Sequence, residues 1–214
     1  MASFCESIIQ EASGLIDQIR SHPFIVQTAS NTIPGTVFRR FATQNYLRLR
    51  EFERFLAALS SRAPEAVRDQ LSAAMLKNHN DIELYEELAA KLDVNLAKAQ
   101  MTYDCHAYVC FLHAVANMRS FEEAICALYG TEYALHAGWT PVKTSQTQKS
   151  PWQEFIDLWG GEGIAEWVRS LGSIIDTLAP QATQECRAQM AESFRTALQY
   201  RLRFWSMSFQ STDW

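Results

Sequence analysis

Apolar residues recur along this chain three and four positions apart, and the breaks between the stripes coincide with proline and capping residues. No period-2 alternation interrupts the series, so the pattern constrains the chain to an all-α fold. Phe4, Ile8, Ala12, Leu15 and Ile19 form one stripe. It should end before His22-Pro23, because the residue preceding proline avoids the helical region. Pro34 opens a second helix carrying Phe38, Phe41, Leu49, Phe52, Phe55 and Leu59. Pro64 starts a long helix through Leu76, Leu84 and Leu88 to about Leu92.

The punctuation continues to the far end. A helix runs from about Thr102 to Met118, and Ser120 with Glu123 has the capping-box spacing that starts another near Phe121, expected to reach about Ala137. Lys143 to Ser150 is polar and reads as a loop. Ser150, Pro151 and Gln153 then supply an N-cap, a first-position proline and a capping-box partner. Gly160-Gly161 breaks that helix, a further one covers Ile164 to Leu178, and the last runs from Thr183 to Phe209. The sum is a helical bundle of about 7–9 helices with short connections. Without an internal repeat or a linker, residues 1–214 read as a single domain.

Composition removes several classes of function. With 48% hydrophobic and 20% charged residues, 214 residues can bury one substantial core. Lys and Arg number 19 against 24 acidic residues, a net charge of −5, and they form no basic tract, which argues against a nucleic-acid partner. The cysteines (Cys5, Cys105, Cys110, Cys126 and Cys186) are odd in number and lack a CxxC pair. That argues against a disulfide framework and against a structural zinc site. The start, Met1 to Ser7, has no basic segment before a long apolar core, and the longest apolar run, Ala107 to Met118, is too short to span a bilayer. The expectation is a cytoplasmic protein with no membrane partner.

The segment Ser120 to Tyr133 concentrates the chemistry. Cys126 falls about two turns into its helix, with Tyr129 and Tyr133 at i+3 and i+7 on the same face. A thiol beside phenols could serve as a nucleophile with hydrogen-bonding neighbours. A free cysteine equally serves as a small buried hydrophobe. Both readings stay open on spacing alone.

Three separated blocks carry a resemblance. They are His22-Pro23-Phe24 followed by Thr43-Gln44-Asn45-Tyr46-Leu47; Ala124-Ile125-Cys126-Ala127-Leu128-Tyr129; and Phe204-Trp205-Ser206-Met207-Ser208. Together with Asp81 to Tyr85 and Ala107 to Leu112, they make the chain resemble the TenA/thiaminase II family, above all its plant-like branch. The resemblance implies a heme-oxygenase-like all-α bundle that binds no heme and needs no cofactor. It implies hydrolysis of a C–N bond in thiamin-derived aminopyrimidines for thiamin salvage, and self-association into a homo-oligomer. The family nucleophile position, cysteine in one branch and glutamate in the plant-like one, carries Cys126. A thiolate can add to an electron-poor pyrimidine and help expel the leaving group before water completes the exchange. Asn45, Tyr108, Tyr129, Arg201 and Trp205 take substrate-binding positions, with the rings placed to sandwich a planar aromatic ligand.

Two positions depart from the family pattern. Asn45 stands where the family has a pyrimidine-binding aspartate, and a neutral amide cannot pair with a protonated aminopyrimidine as a carboxylate does. Arg201 stands where the family has a glutamate, and a guanidinium cannot usefully pass a proton to a leaving amine near neutral pH. Beside Cys126, Arg201 would instead favour thiolate and hold a carboxylate or phosphate; otherwise it would be solvated on an outer face or pair with an acidic side chain of a neighbouring helix. The alternative to a thiaminase-type hydrolase is therefore a diverged enzyme or a binding protein for a neutral or anionic small molecule. A metal site finds little support. None of His79, His106, His113 or His136 has an acid three positions before it, and Glu132 with His136 reads as a surface pair.

Overall fold

The computed structural model describes residues 2–91, 94 and 96–210, and among these no strand occurs. In chain order the helices are α1 (Phe4–Glu11), α2 (Ser13–Arg20), α3 (Pro23–Ala29), α4 (Gly35–Arg62) and α5 (Glu65–Lys91). They continue with α6 (Tyr103–Met118), α7 (Phe121–Ser145), α8 (Gln153–Trp159), α9 (Glu162–Leu178) and α10 (Gln184–Ser206). Only Ala12 separates α1 from α2; with that pair counted as one interrupted helix, the ten segments make nine helices among the described residues, at the top of the expected range. No described helix is long and apolar enough to cross a membrane.

Backbone contacts gather these helices into two compact units, each assembled from two stretches of chain. The first joins the chain up to Ile33 with Glu122–Trp205; the second joins Pro34–Phe121 with the chain from Ser206.

In the first unit the amino-terminal stripe is buried as expected at Ile8, Ala12, Ile16 and Ile19, yet it is not one helix. Ala12 leaves helical geometry at φ −91° and ψ 7°, next to Ser13 and Gly14, whose weak helix propensity the apolar spacing does not register. Pro23, expected only to end a helix, also begins one. Its missing N–H costs nothing in a first turn, and the His22 Nδ1 caps α3 by accepting the Phe24 N–H at 3.1 Å. Asn31 then turns left-handed at φ 56°, which lets the Thr32 and Ile33 N–H groups both close on the Gln27 carbonyl.

α7 runs on to Ser145, past the expected end near Ala137, and takes Lys143 to Ser145 out of the expected loop. Pro141 lies inside it and cannot donate to the carbonyl one turn back. The Thr144 hydroxyl donates to the Thr140 carbonyl at 2.9 Å and that of Ser145 to the Pro141 carbonyl at 2.6 Å, so the last turn holds despite its polar composition. α8 begins two residues later than read, at Gln153 with Trp152 in the N-cap position, because Pro151 and Trp152 form a turn instead. The expected pairing of Ser150 with Gln153 closes that turn, the Ser150 N–H donating to Gln153 Oε1 at 3.2 Å and Ser150 Oγ accepting the Trp152 N–H at 3.2 Å.

α7 and α10 meet at glycines. A Cβ on Gly130 would lie 2.6 Å from the Phe194 carbonyl oxygen, and one on Gly138 would lie 2.3 Å from the Trp205 ring. α7 therefore presses directly on the α10 backbone at Gly130 and on the Trp205 ring at Gly138.

In the second unit α4 packs along α5 and α6. Phe38, Phe41, Leu49, Phe52, Phe55 and Leu59 are all buried, as the α4 stripe requires. On α5 Leu88 is buried, but Leu76 and Leu84 face outward; the inward line is Leu71, Ile82, Tyr85 and Leu88. Leu92, the expected end of this helix, lies outside the described residues. Gln44 anchors the start of α6, its Oε1 accepting the Thr102 N–H at 2.9 Å while its Nε2 donates to the Gln100 carbonyl at 2.8 Å. Arg62 ties the other ends of α4 and α6 by donating to the carbonyls of Ala116 and Arg119.

Candidate active site

Four of the expected site residues belong to the first unit: Cys126 and Tyr129 on α7, Arg201 and Trp205 on α10. Cys126 is fully buried. Burial pushes its thiol well above the ordinary cysteine value, and Cys5, Cys186, Glu122 and Asp176 push in the same direction. The resting side chain is therefore a thiol, not a thiolate held low by the Arg201 guanidinium, and any attack by sulfur must be coupled to loss of its proton.

Tyr129 and Tyr133 share the expected face, their rings edge to face at 5.7 Å. Tyr129 also stacks on Phe194 at 5.4 Å. Its hydroxyl points at α9, where a Cβ on Gly172 would lie 3.6 Å away. Both tyrosines line a cavity of about 630 Å³ with Cys5, His136, Gly172 and Asp176, and Cys126 is not part of that lining. The helical face is shared by the two phenols, then, while the thiol turns into the core. Glu132 is buried, not a surface acid, and His136 Nδ1 meets the Thr140 hydroxyl at 3.0 Å.

Arg201 is fully buried, which disposes of an outward, solvated guanidinium. Its Nη2 donates to the Thr131 carbonyl on α7 at 3.5 Å, and the guanidinium carbon lies 5.8 Å from the Phe204 ring. It therefore stands against the same helix as Cys126, a turn and a half further along. A buried cation of this kind favours ligand groups that accept hydrogen bonds or carry negative charge. Trp205 is also fully buried, but its ring is committed to packing. It stacks parallel on Phe24 at 6.1 Å, tilts against His22 at 5.9 Å and fills the space beside Gly138.

Asn45 and Tyr108 belong to the second unit, and both are buried. Asn45 Oδ1 accepts from Arg48 Nε at 3.1 Å, and Asn45 Nδ2 donates to the Tyr85 hydroxyl at 3.3 Å. Arg48 is only 2% exposed and lies 5.1 Å from the Phe52 ring. Burial pushes the nearby Cys105 thiol up to about 12, with Arg48 pulling the other way. Arg48 and Tyr85 had not been singled out from the sequence. The signal was there for Arg48: it is seven residues after Phe41 and four before Phe52, a charged residue on the buried line of α4. Among the described residues no group of three or more His, Cys, Asp or Glu side chains could hold a metal ion.

Known proteins resemble this chain both in sequence and in fold. The model of the TENA/THI-4/PQQC family matches residues 9–211, which takes in both units. The aminopyrimidine aminohydrolase of Bacillus subtilis is 21% identical over 202 residues, covering 90% of this chain and 84% of its own. A solved TenA homologue from Pyrococcus furiosus superposes with a TM-score of 0.93 at 27% identity, over 96% of this chain and all of that one. A domain of unknown function with a heme-oxygenase-like fold from Shewanella denitrificans reaches a TM-score of 0.78 at 11% identity, covering 95% of this chain and 90% of that one.

Proposed function

The chain belongs to the TENA/THI-4/PQQC family, and on that premise we propose that it is a TenA-type C–N hydrolase whose substrate is a small planar compound, neutral or anionic and not cationic. One observation carries the reading: the fully buried Arg201 guanidinium, directed at the Thr131 carbonyl, at the position where the resemblance puts a carboxylate. A cationic aminomethyl group would meet repulsion there, whereas a carboxylate or carbonyl would gain directed hydrogen bonds.

Cys126 acts as the nucleophile in this reading. Its sulfur bonds to an electron-deficient ring carbon while the thiol proton passes to the neighbouring ring nitrogen, which takes up the electron pair of the attacked double bond. Collapse of that adduct breaks the C–N bond, and water then displaces sulfur. Arg201 cannot protonate a leaving amine, but it can stabilise a leaving group that departs with negative charge. Within the first unit Tyr129, which lines the cavity, joins Arg201 in binding the substrate, and Asn45, Tyr108 and Trp205 keep only the binding role that the resemblance implies. The five free cysteines fit a reducing compartment, and we read the protein as cytoplasmic and self-associating.

A second reading is hydrolysis of a thiamin-derived aminopyrimidine itself, favoured by the relative named for that activity. The two separate in one experiment, which offers matched cationic, neutral and anionic 5-substituted pyrimidines to wild type, Arg201→Gln and Cys126→Ala. The expected result is preference for the neutral or anionic compound, lost by about tenfold or more in Arg201→Gln, with Cys126→Ala binding normally but not turning over. Preference for the cation by wild type supports the aminopyrimidine reading instead. Binding without turnover by any protein assigns the chain to the alternative, a small-molecule binding protein on this scaffold.

A further inference from the structure

Asn45 sits inside a hydrogen-bond arrangement that its position alone does not explain. An amide offers two donors and two acceptor lone pairs. Here the carbonyl oxygen takes the Arg48 Nε–H at 3.1 Å, and one N–H goes to the Tyr85 hydroxyl at 3.3 Å. All three side chains are buried, Asn45 at 1%, Arg48 at 2% and Tyr85 at 0% exposed. The orientation of the amide is thereby set: oxygen toward the guanidinium, nitrogen away from it.

We infer that Arg48 is the specificity-determining residue of the Asn45 position, making it donate hydrogen bonds and reject cations. This rests on the reading of Asn45 as a substrate-binding residue given above. With its oxygen engaged by Arg48, the amide has its second N–H to offer a ligand, and that N–H is polarised by the charge behind it. A ligand cation at this place would sit near a guanidinium in a poorly solvated environment, where like charges interact strongly. A ligand oxygen or deprotonated ring nitrogen would be held by a donor with a positive field behind it. The class of ligand is accordingly a planar compound bearing a carboxylate or an acceptor-rich ring edge.

The inference has a consequence that the substitution at position 45 alone would not suggest. Asn45→Asp does not recreate a cation-binding carboxylate, because Arg48 is already within hydrogen-bond distance and pairs with it. The carboxylate becomes available to a ligand only when Arg48 is neutralised as well. Arg48→Gln is the suitable partner, since its amide can still donate to residue 45 while the charge is gone.

The experiment is calorimetric titration of pyrimidine-5-carboxylate and 5-aminomethylpyrimidine into wild type, Asn45→Asp, Arg48→Gln and the double variant. We expect wild type to prefer the carboxylate and Asn45→Asp to keep that preference within about threefold. Arg48→Gln should reduce it by about tenfold or more, and the double variant should reverse it. Reversal by Asn45→Asp alone, or an unchanged preference in Arg48→Gln, overturns the inference while leaving the proposed function standing. Wild type that binds neither probe, or prefers the amine, overturns the proposed function and this inference with it. Should the double variant not fold, Arg48→Gln alone decides between these outcomes.

Discussion

His22 carries two tasks, one of which requires an unprotonated ring nitrogen. Its Nδ1 accepts the Phe24 N–H that caps α3, and its ring lies against Trp205. Burial lowers its pKa below the usual 6.5. His136 is lowered as well, by burial first and then by the charges of Arg169 and Arg20. A histidine lowered in the folded state leaves the unfolded chain to bind protons first. This contribution is neutral above the unfolded value and turns against folding as pH falls through about 6.5 toward the folded values. We expect the melting temperature to fall between about pH 7 and pH 5, and His22→Asn with His136→Gln to flatten that slope. Asparagine still caps a helix, so α3 should survive the exchange. Thermal unfolding followed by circular dichroism across the pH range is the measurement; an unchanged slope in the double variant would count against it. The candidate site was legible to unequal depth at this scale. Cys126, Arg201 and Asn45 were singled out as candidates because short blocks around them carry a resemblance. Arg48 and Tyr85 were not: the place of Arg48 on the apolar line of α4 was a usable signal, but spacing alone does not say which partner a buried guanidinium or phenol will find.

The helices were legible where a stripe and its punctuation agree. α4 is the plain case, with six large apolar residues on one face and an arginine at its end. α3 was missed because His-Pro serves as a stop for one helix and a start for the next, and composition does not separate the two. The end of α7 was missed because its last turn is solvated and threonine-rich, held by hydroxyl-to-carbonyl bonds. Glycines on two helices give opposite expectations. Gly138→Ala puts a methyl group 2.3 Å from the Trp205 ring and should cost about 2–3 kcal/mol. Gly14→Ala meets nothing within 4 Å on an exposed turn of α2 and should stabilise by about 0.5–1 kcal/mol. Urea unfolding of the two variants checks both signs; equal effects would remove the close-packing account of the α7–α10 contact.

Across the whole molecule the five thiols report burial at separate places. Cys110 is exposed and Cys186 half-buried, while Cys5, Cys105 and Cys126 are buried. Alkylation of the native protein should modify Cys110, then Cys186, and reach the other three only when denaturant opens the fold. Peptide mapping by mass spectrometry reads the order, and labelling of Cys126 as fast as Cys110 would contradict its burial. The all-α architecture was fully legible at this scale, since no stretch alternates with period 2. The grouping into two units was not, because each draws on distant stretches of chain and no linker or change of composition marks the crossings. That grouping sets a timetable for the chain as it leaves the ribosome. The stretch Pro34–Phe121 can begin to collapse early, but the segment up to Ile33 has its partners only once Glu122–Trp205 has been made. Roughly 170 residues must follow it, about 10–30 s at ordinary rates of synthesis. Through that interval Ile16, Ile19, Phe24 and Ile25, all buried in the finished protein, wait without their cover, so the nascent chain presents an apolar amino-terminal segment to whatever chaperone attends it.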